Sequence, residues 1–213
     1  MSSQPRQAAT VILLRGGAET LEVLLVRRTP HARFMAGVWV FPGGAVDEDD
    51  APEGATGPSE SPGAGGPMAA AAIEARTLRT AAARELREEA GIALADTSEL
   101  VEFSRWITPT VVQRRFDTHF FLARLPAGQE PRVDGEECVD LRWFTPQAAL
   151  AAHRADEIVL VFPTIKQLEQ LSSFSSVDEL LSDARGRDVE PVQPRVVLEG
   201  EVARILLPGD AGY

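Results

Sequence analysis

The chain has 213 residues, 44% hydrophobic and 25% charged, which suits one folded domain with a sizeable core, with or without an appendage. Its formal charge of −11 at pH 7 argues against general nucleic-acid binding, which runs on phosphate neutralisation. It does not exclude a polyphosphate ligand, since a metal ion or a local arginine cluster can act against the global sign.

Cys138 is the single cysteine, so no intrachain disulfide forms; a reducing cytoplasm is the simplest setting, and the thiol reads as a small core residue. Residues 1–10 lack the apolar centre of a signal peptide, and no apolar run reaches membrane-spanning length.

Ala8 to Leu14 is a short apolar, partly β-branched run and predicts a strand. Arg15-Gly16-Gly17-Ala18 is a turn, and Leu21 to Arg28 predicts a second strand, so the two read as a hairpin. Arg27, Arg28 and Arg33 follow, with Thr29-Pro30-His31 among them. Such arginines are either plain surface or planar donor forks for phosphate oxygens. An apolar strand from Trp39 then runs into Pro42-Gly43-Gly44, a tight turn where backbone can approach a ligand closely.

Ala51 to Met68 is rich in Gly, Pro, Ser and Ala and predicts a flexible surface excursion, cheap to insert because loop closure grows only logarithmically with length. Ala69 to Ala90 predicts one long helix, favoured by its alanines and stopped by Gly91 at C′; its first half can belong to the excursion. Glu85, Glu88 and Glu89 fall at i, i+3 and i+4 on one helix face. Crowded carboxylates repel, and a bound divalent cation removes that cost; a solvated acidic face is the plain alternative. Leu86 and Ile92 are expected in the core, with Leu86 pointing away from the glutamates.

Leu100 to Ile107 predicts a strand broken by Thr108-Pro109, and Arg114 to Ala123 a strand rich in aromatics. His119 reads as structural rather than catalytic, and Trp106 and Phe116 as core rather than base-stacking platforms. Pro126 to Gly135 is a loop, and Glu136 to Phe144 a strand with an acidic entry. Thr145 as N-cap and Pro146 at N1 start a helix. Further helices are expected ending at Leu171 and over Val177 to Ala184 behind Ser176, with extended segments from Pro191 to Leu207 and no internal repeat.

Gly44 and the run Arg84-Glu85-Leu86-Arg87-Glu88-Glu89-Ala90-Gly91-Ile92 resemble the Nudix hydrolase signature: Gly, five residues, Glu, seven residues, then Arg-Glu-aliphatic-x-Glu-Glu-x-Gly-aliphatic. The closing nine residues match without departure. The loop Glu falls on Asp50, one methylene shorter, and the seven-residue spacer becomes residues 51–83, with 26 extra.

Leu24-Leu25-Val26-Arg27-Arg28-Thr29, Arg33, Gly37 and Phe41-Pro42-Gly43-Gly44 are similar to the motif of the coenzyme A diphosphatase branch, apart from Val26 and Thr29. The insertion and the Leu207-Pro208-Gly209-Asp210 tail resemble the peroxisomal-type members of that branch. The family likeness covers about residues 8–150, with weaker branch likeness beyond.

The resemblance implies an α/β (α+β) fold, a three-layer α/β/α sandwich around a mixed sheet. It implies a single domain over residues 1–213, with a flexible insertion at about 51–70 and a C-terminal extension from about 151. The implied activity is metal-dependent cleavage of the diphosphate linkage of a small nucleoside diphosphate derivative. Coenzyme A or its thioesters come first, giving 3′,5′-ADP and 4′-phosphopantetheine; dinucleotides and nucleotide sugars are alternatives.

Glu85, Glu88 and Glu89, with the Gly44 carbonyl, would hold Mg²⁺ or Mn²⁺, and Arg84 would orient a carboxylate. Glu137 is the candidate for a further ligand or base, against a plain strand-edge charge. Arg27, Arg28, Arg33, Gly43, Gly44 and Arg115 are the candidate substrate contacts. No nucleic-acid or membrane partner is expected, and a homodimer is left open. A non-catalytic nucleotide sensor would tolerate loss of Glu88 or Glu89, yet both are present; an acidic helical protein matching by chance would bind no divalent metal.

Overall fold

Alternation along the apolar strands decides the layers. The structure is a computed structural model describing residues 4–32, 35–52, 67–199 and 202–213. In chain order it has β1 (Arg6–Arg15), β2 (Glu22–Arg28), β3 (Trp39–Val40), β4 (Gly43–Ala45), α1 (Pro67–Ala90), β5 (Val101–Ile107), β6 (Phe116–Arg124) and β7 (Cys138–Phe144). There follow α2 (Pro146–Arg154), α3 (Phe162–Leu171), α4 (Val177–Arg185), β8 (Pro191–Val192), β9 (Arg195–Glu199) and β10 (Val202–Leu206).

Among the described residues the main sheet has eight strands in the order β3-β2-β1-β6-β5-β8, with β4 also on β1 and β7 on β2. It is mixed: β1 and β6 run parallel from Arg6↔Phe116 to Leu14↔Arg124, while β1 with β2, β5 with β6 and β2 with β7 are antiparallel.

Successive strand residues point to opposite faces. Ala9, Val11 and Leu13 of β1, Leu24 and Val26 of β2, and Phe121 and Ala123 of β6 pack under α1 through Leu78, Ala81, Ala82, Leu86 and Ala90. Ile12, Leu14, Val23, Leu25, Phe120 and Leu122 turn the other way, against Ala149 of α2, Leu168 and Leu171 of α3, and Val177, Leu180 and Leu181 of α4. The sheet is thus buried on both faces, which makes the three-layer α/β/α sandwich. Residues beyond 151 supply much of the second helical layer. Leu86 and Ile92 are fully buried, as expected.

One expectation changes. Pro42-Gly43-Gly44 is not a free tight turn: Gly43–Ala45 is β4, paired antiparallel with β1 as Thr10↔Gly43, Ala9↔Gly44 and Ala8↔Ala45. The glycines let backbone lie flat between β1 and α1, for a Cβ at Gly43 would strike Thr10 and Ala9. β9 and β10 form a separate two-stranded hairpin. Among the described residues no helix is long and apolar enough to cross a membrane.

Candidate active site

Small side chains bring α1 close to the sheet. Ala81, Ala82 and Ala90 are fully buried against a sheet face that includes Ala9. Glu85 therefore lies directly over Gly44, where a Cβ would collide with its carboxylate. One turn on, Glu89 is 3% exposed and its Oε2 accepts the Gly43 N–H at 2.9 Å. Gly91 ends the helix at φ +67°, its N–H bonded to the Arg87 carbonyl at 3.0 Å.

Burial pushes the Glu89 carboxyl up to about 7; the Gly43 N–H opposes this and the Glu85 charge adds to it. Burial also raises Glu85, against the hydrogen bond from Arg84. Glu88 is exposed.

Arg84 is the anchor of the cluster. Its Nε and Nη2 fork onto Asp50 at 3.0 and 2.9 Å, and Nη1 donates to Glu85 at 2.8 Å and Glu88 at 3.0 Å. Nη2 also reaches the Ala45 carbonyl at 3.1 Å. The Asp50 bond is the largest cause holding Arg84 above its ordinary range.

The shorter Asp50 reaches because residues 48–50 form a 3-10 turn. The Asp50 amide donates to the Asp47 carbonyl at 3.1 Å, and the Asp47 amide to Asp50 Oδ2 at 2.8 Å. Asp50 is buried there.

The candidate substrate residues separate. Arg28 Nη1 stands 3.7 Å from Glu89 Oε1, on the α1 face. Arg27, one residue earlier, pairs with Trp39 and turns to the opposite face. The Nε atoms of both are buried without a hydrogen-bond partner among the described residues. Arg33 lies outside the described residues, as does most of the predicted insertion.

Arg115 is buried on the far side of β1 from Gly44, where its Nε donates to the Thr108 carbonyl at 3.0 Å. The structure therefore gathers Gly43, Gly44, Arg84, Glu85, Glu88, Glu89 and Arg28, and leaves Arg27 and Arg115 apart.

Glu137 precedes β7; its carbonyl accepts the Thr29 N–H at 2.8 Å, and its charge raises both Glu85 and Glu89. The sequence reading passed over Asp134, whose Oδ2 and Oδ1 accept the Glu137 and Cys138 amides at 2.8 and 2.9 Å. The Asp134-Gly135 pair, a turn dipeptide, was the available signal.

Cys138 is a buried core residue, its thiol pushed up by burial and then by the Glu89 charge. His119 is buried with Nδ1 2.6 Å from Glu102 Oε1 and its ring stacked on Phe121, separated from Gly44 by β1. A cavity of about 590 Å³ lined by Arg79, Glu99, Glu102, Arg185 and Arg187 contains none of the clustered glutamates.

The donor chemistry fits a hard divalent cation: carboxylate oxygens, with Glu89 buried, Glu85 half-buried and both charge-crowded. Among the described residues no three His, Cys, Asp or Glu side chains already form a metal cage. Arg84 draws Glu85 and Glu88 to itself while Gly43 holds Glu89.

A three-layer sandwich carrying a glutamate-lined helix above a paired glycine strand defines a class of protein, and comparison with known proteins agrees. The NUDIX domain family model matches residues 4–56 and 69–162. The chain belongs to the Nudix family. It is an enzyme of that family, a pyrophosphohydrolase.

It is 25% identical over 303 aligned positions to a Homo sapiens protein named Acyl-coenzyme A diphosphatase NUDT19, covering 99% of this chain and 81% of the human one. It is 27% identical to the Putative nudix hydrolase 7 of Caenorhabditis elegans, covering 100% of this chain and 76% of that one. A solved NUDIX hydrolase from Alicyclobacillus acidocaldarius superposes with a TM-score of 0.67 at 26% identity, over 85% of this chain and 97% of that one.

Proposed function

We propose that this enzyme hydrolyses the diphosphate linkage of coenzyme A or its thioesters in a divalent-metal-dependent reaction. Water attacks one phosphorus, the bridging P–O bond breaks, and 3′,5′-ADP and 4′-phosphopantetheine leave. The observation that carries the hydrolase chemistry is the crowding of Glu85 and Glu89 beside the Gly43–Gly44 backbone, with Arg28 alongside. Likeness over 99% of the chain to a protein named an acyl-coenzyme A diphosphatase supports the substrate.

Glu85, Glu88 and Glu89, with the Gly44 carbonyl, would hold Mg²⁺ or Mn²⁺. When bound, the ion supplies charge neutralisation at the diphosphate and activation of water. The chain's own groups do the rest. The Gly43 N–H fixes Glu89, Arg84 aligns Glu85 and Glu88, and Glu137 takes the proton of the attacking water at its carboxylate. Arg28, 3.7 Å from Glu89, offers a guanidinium to a diphosphate oxygen at the reacting end. Arg33, from the same basic stretch of the sequence, is the residue proposed to meet the 3′-phosphate.

The test is a hydrolysis panel of coenzyme A, its dephospho form, a diadenosine polyphosphate and a nucleotide sugar with Mn²⁺, products identified by mass. Coenzyme A should be fastest and the dephospho form about tenfold poorer or worse, one charge-assisted contact being worth roughly 1.5–3 kcal/mol. Arg33→Ala should erase that preference, and Arg28→Ala should slow both substrates. Equal rates on the two forms would remove the coenzyme A reading and leave the pyrophosphohydrolase.

A further inference from the structure

We propose that the loop from Pro126 to Glu137 positions a reacting group, and that Asp134 is the residue through which it does so. Holding the amides of Glu137 and Cys138 fixes where the Glu137 carboxylate stands relative to the glutamates of α1. This rests on the reading of Glu137 given above.

The loop is tied at both ends. At the α1 end, the Arg132 amide donates to the Ala90 carbonyl at 2.8 Å, one residue past Glu89. The Gln129 side chain clamps Ala93 twice, accepting its N–H at 2.9 Å and donating to its carbonyl at 2.7 Å. Gly91 passes under the loop, where a Cβ would come 3.3 Å from the Arg132 carbonyl. At the sheet end, Asp134 accepts two amides, Gly135 donates to the Cys138 carbonyl at 2.9 Å, and Thr29 donates to the Glu137 carbonyl at 2.8 Å.

Cys138 in turn pairs with Arg28, which reaches Glu89. The end of α1 and the start of β7 are therefore one frame, and Asp134 is the side chain that joins its loop to Glu137. Burial works to raise the Asp134 pKa, but the backbone amides of Glu137 and Cys138, with those of Glu136 and Asp134 itself, together hold it below the ordinary carboxylate range.

Asp134 touches no reacting atom and acts through Glu137, so a double-mutant cycle isolates its role. The assay uses the full chain with Mn²⁺ and the diphosphate that it hydrolyses fastest. Asp134→Ala should lower kcat about tenfold or more and leave KM within about twofold, the scale seen when an orienting partner is lost. Asp134→Asn, which keeps one acceptor oxygen, should fall between the two.

In a Glu137→Gln background, Asp134→Ala should cost less than about twofold further. Equal losses from Asp134→Ala in the two backgrounds, or an unchanged kcat, would overturn the proposal. Should the alanine variant fail to fold, the asparagine variant carries the same cycle. A wild-type chain inactive on every diphosphate would overturn the hydrolase reading and this one together; an active wild type with additive losses overturns this one alone.

Discussion

From Met68 to Glu74 the residues of α1 are exposed one after another, Met68 at 88% and Ile73 at 44%. From Leu78 to Ala90 the same helix is pressed onto the sheet through Leu78, Ala81, Ala82, Leu86 and Ala90. Both halves are alanine-rich and both are helical, so propensity accounts for the helix in each. The difference lies in what the alanines face. In the second half they meet Ala9, Val11 and Leu13, and small against small allows the close approach that sets Glu85 over Gly44 and Glu89 on the Gly43 amide. Alanine is helix material in the first half and a spacer in the second.

Charge substitutions should break this contrast most sharply. Glu88→Gln and Glu89→Gln should each lower turnover by about a hundredfold or more, since each removes a charge-neutralising oxygen donor. Glu88→Gln should hold its folding stability or gain a few tenths of a kcal/mol, because like-charge crowding is relieved, while Glu89→Gln should gain more in the metal-free chain at and above neutral pH, because it also removes a buried charge. Ile73→Ala, in the exposed half, should leave turnover and stability unchanged. Steady-state kinetics with thermal melts would check this, and wild-type rates in either glutamine variant would count against the site.

A smaller effect should follow from volume. Ala82→Leu overpacks a fully buried contact and should destabilise by about 1–3 kcal/mol. Ala72→Leu should stay within about 0.5 kcal/mol, as an exposed helix position does. Denaturant unfolding of the two variants separates them; equal costs would mean that the alanines of the second half are not spacers.

Much of this was legible in the sequence. The apolar strands, the glycine stop at 91, the caps at Thr145 and Ser176 and the placement of Leu86 follow from local rules, and the structure has them. The glutamate cluster was legible because its spacing is helical.

What was not legible depends on pairing. Gly43 and Gly44 read locally as a turn, and only β1 makes them a strand. Arg27 and Arg28 read as one basic cluster, but the alternation of β2 sends them to opposite faces. Arg115 looked like a basic residue near the site, yet its guanidinium closes the hairpin turn at Thr108. Asp50 looked like a weakened signature residue until the 3-10 turn carried it to Arg84.

The central claim is that Glu89 sits in a buried, crowded carboxylate cluster that a divalent cation completes. The most direct measurement is the melting temperature of the metal-free chain from pH 4 to pH 8, repeated with Mn²⁺ and with Glu89→Gln. Glu89 titrates at about 7 in the folded chain against 4.5 ordinarily, so the folded state holds this proton more tightly. Its contribution is therefore full below pH 4.5 and is lost as pH rises through 7, a difference of roughly 3 kcal/mol. The metal-free wild type should melt several degrees lower at pH 8 than at pH 5; Mn²⁺ should restore the loss, and Glu89→Gln should remove most of the slope, leaving the part that Glu85 carries, and most of the metal response. A wild type whose pH slope and Mn²⁺ response match those of Glu89→Gln would contradict the account.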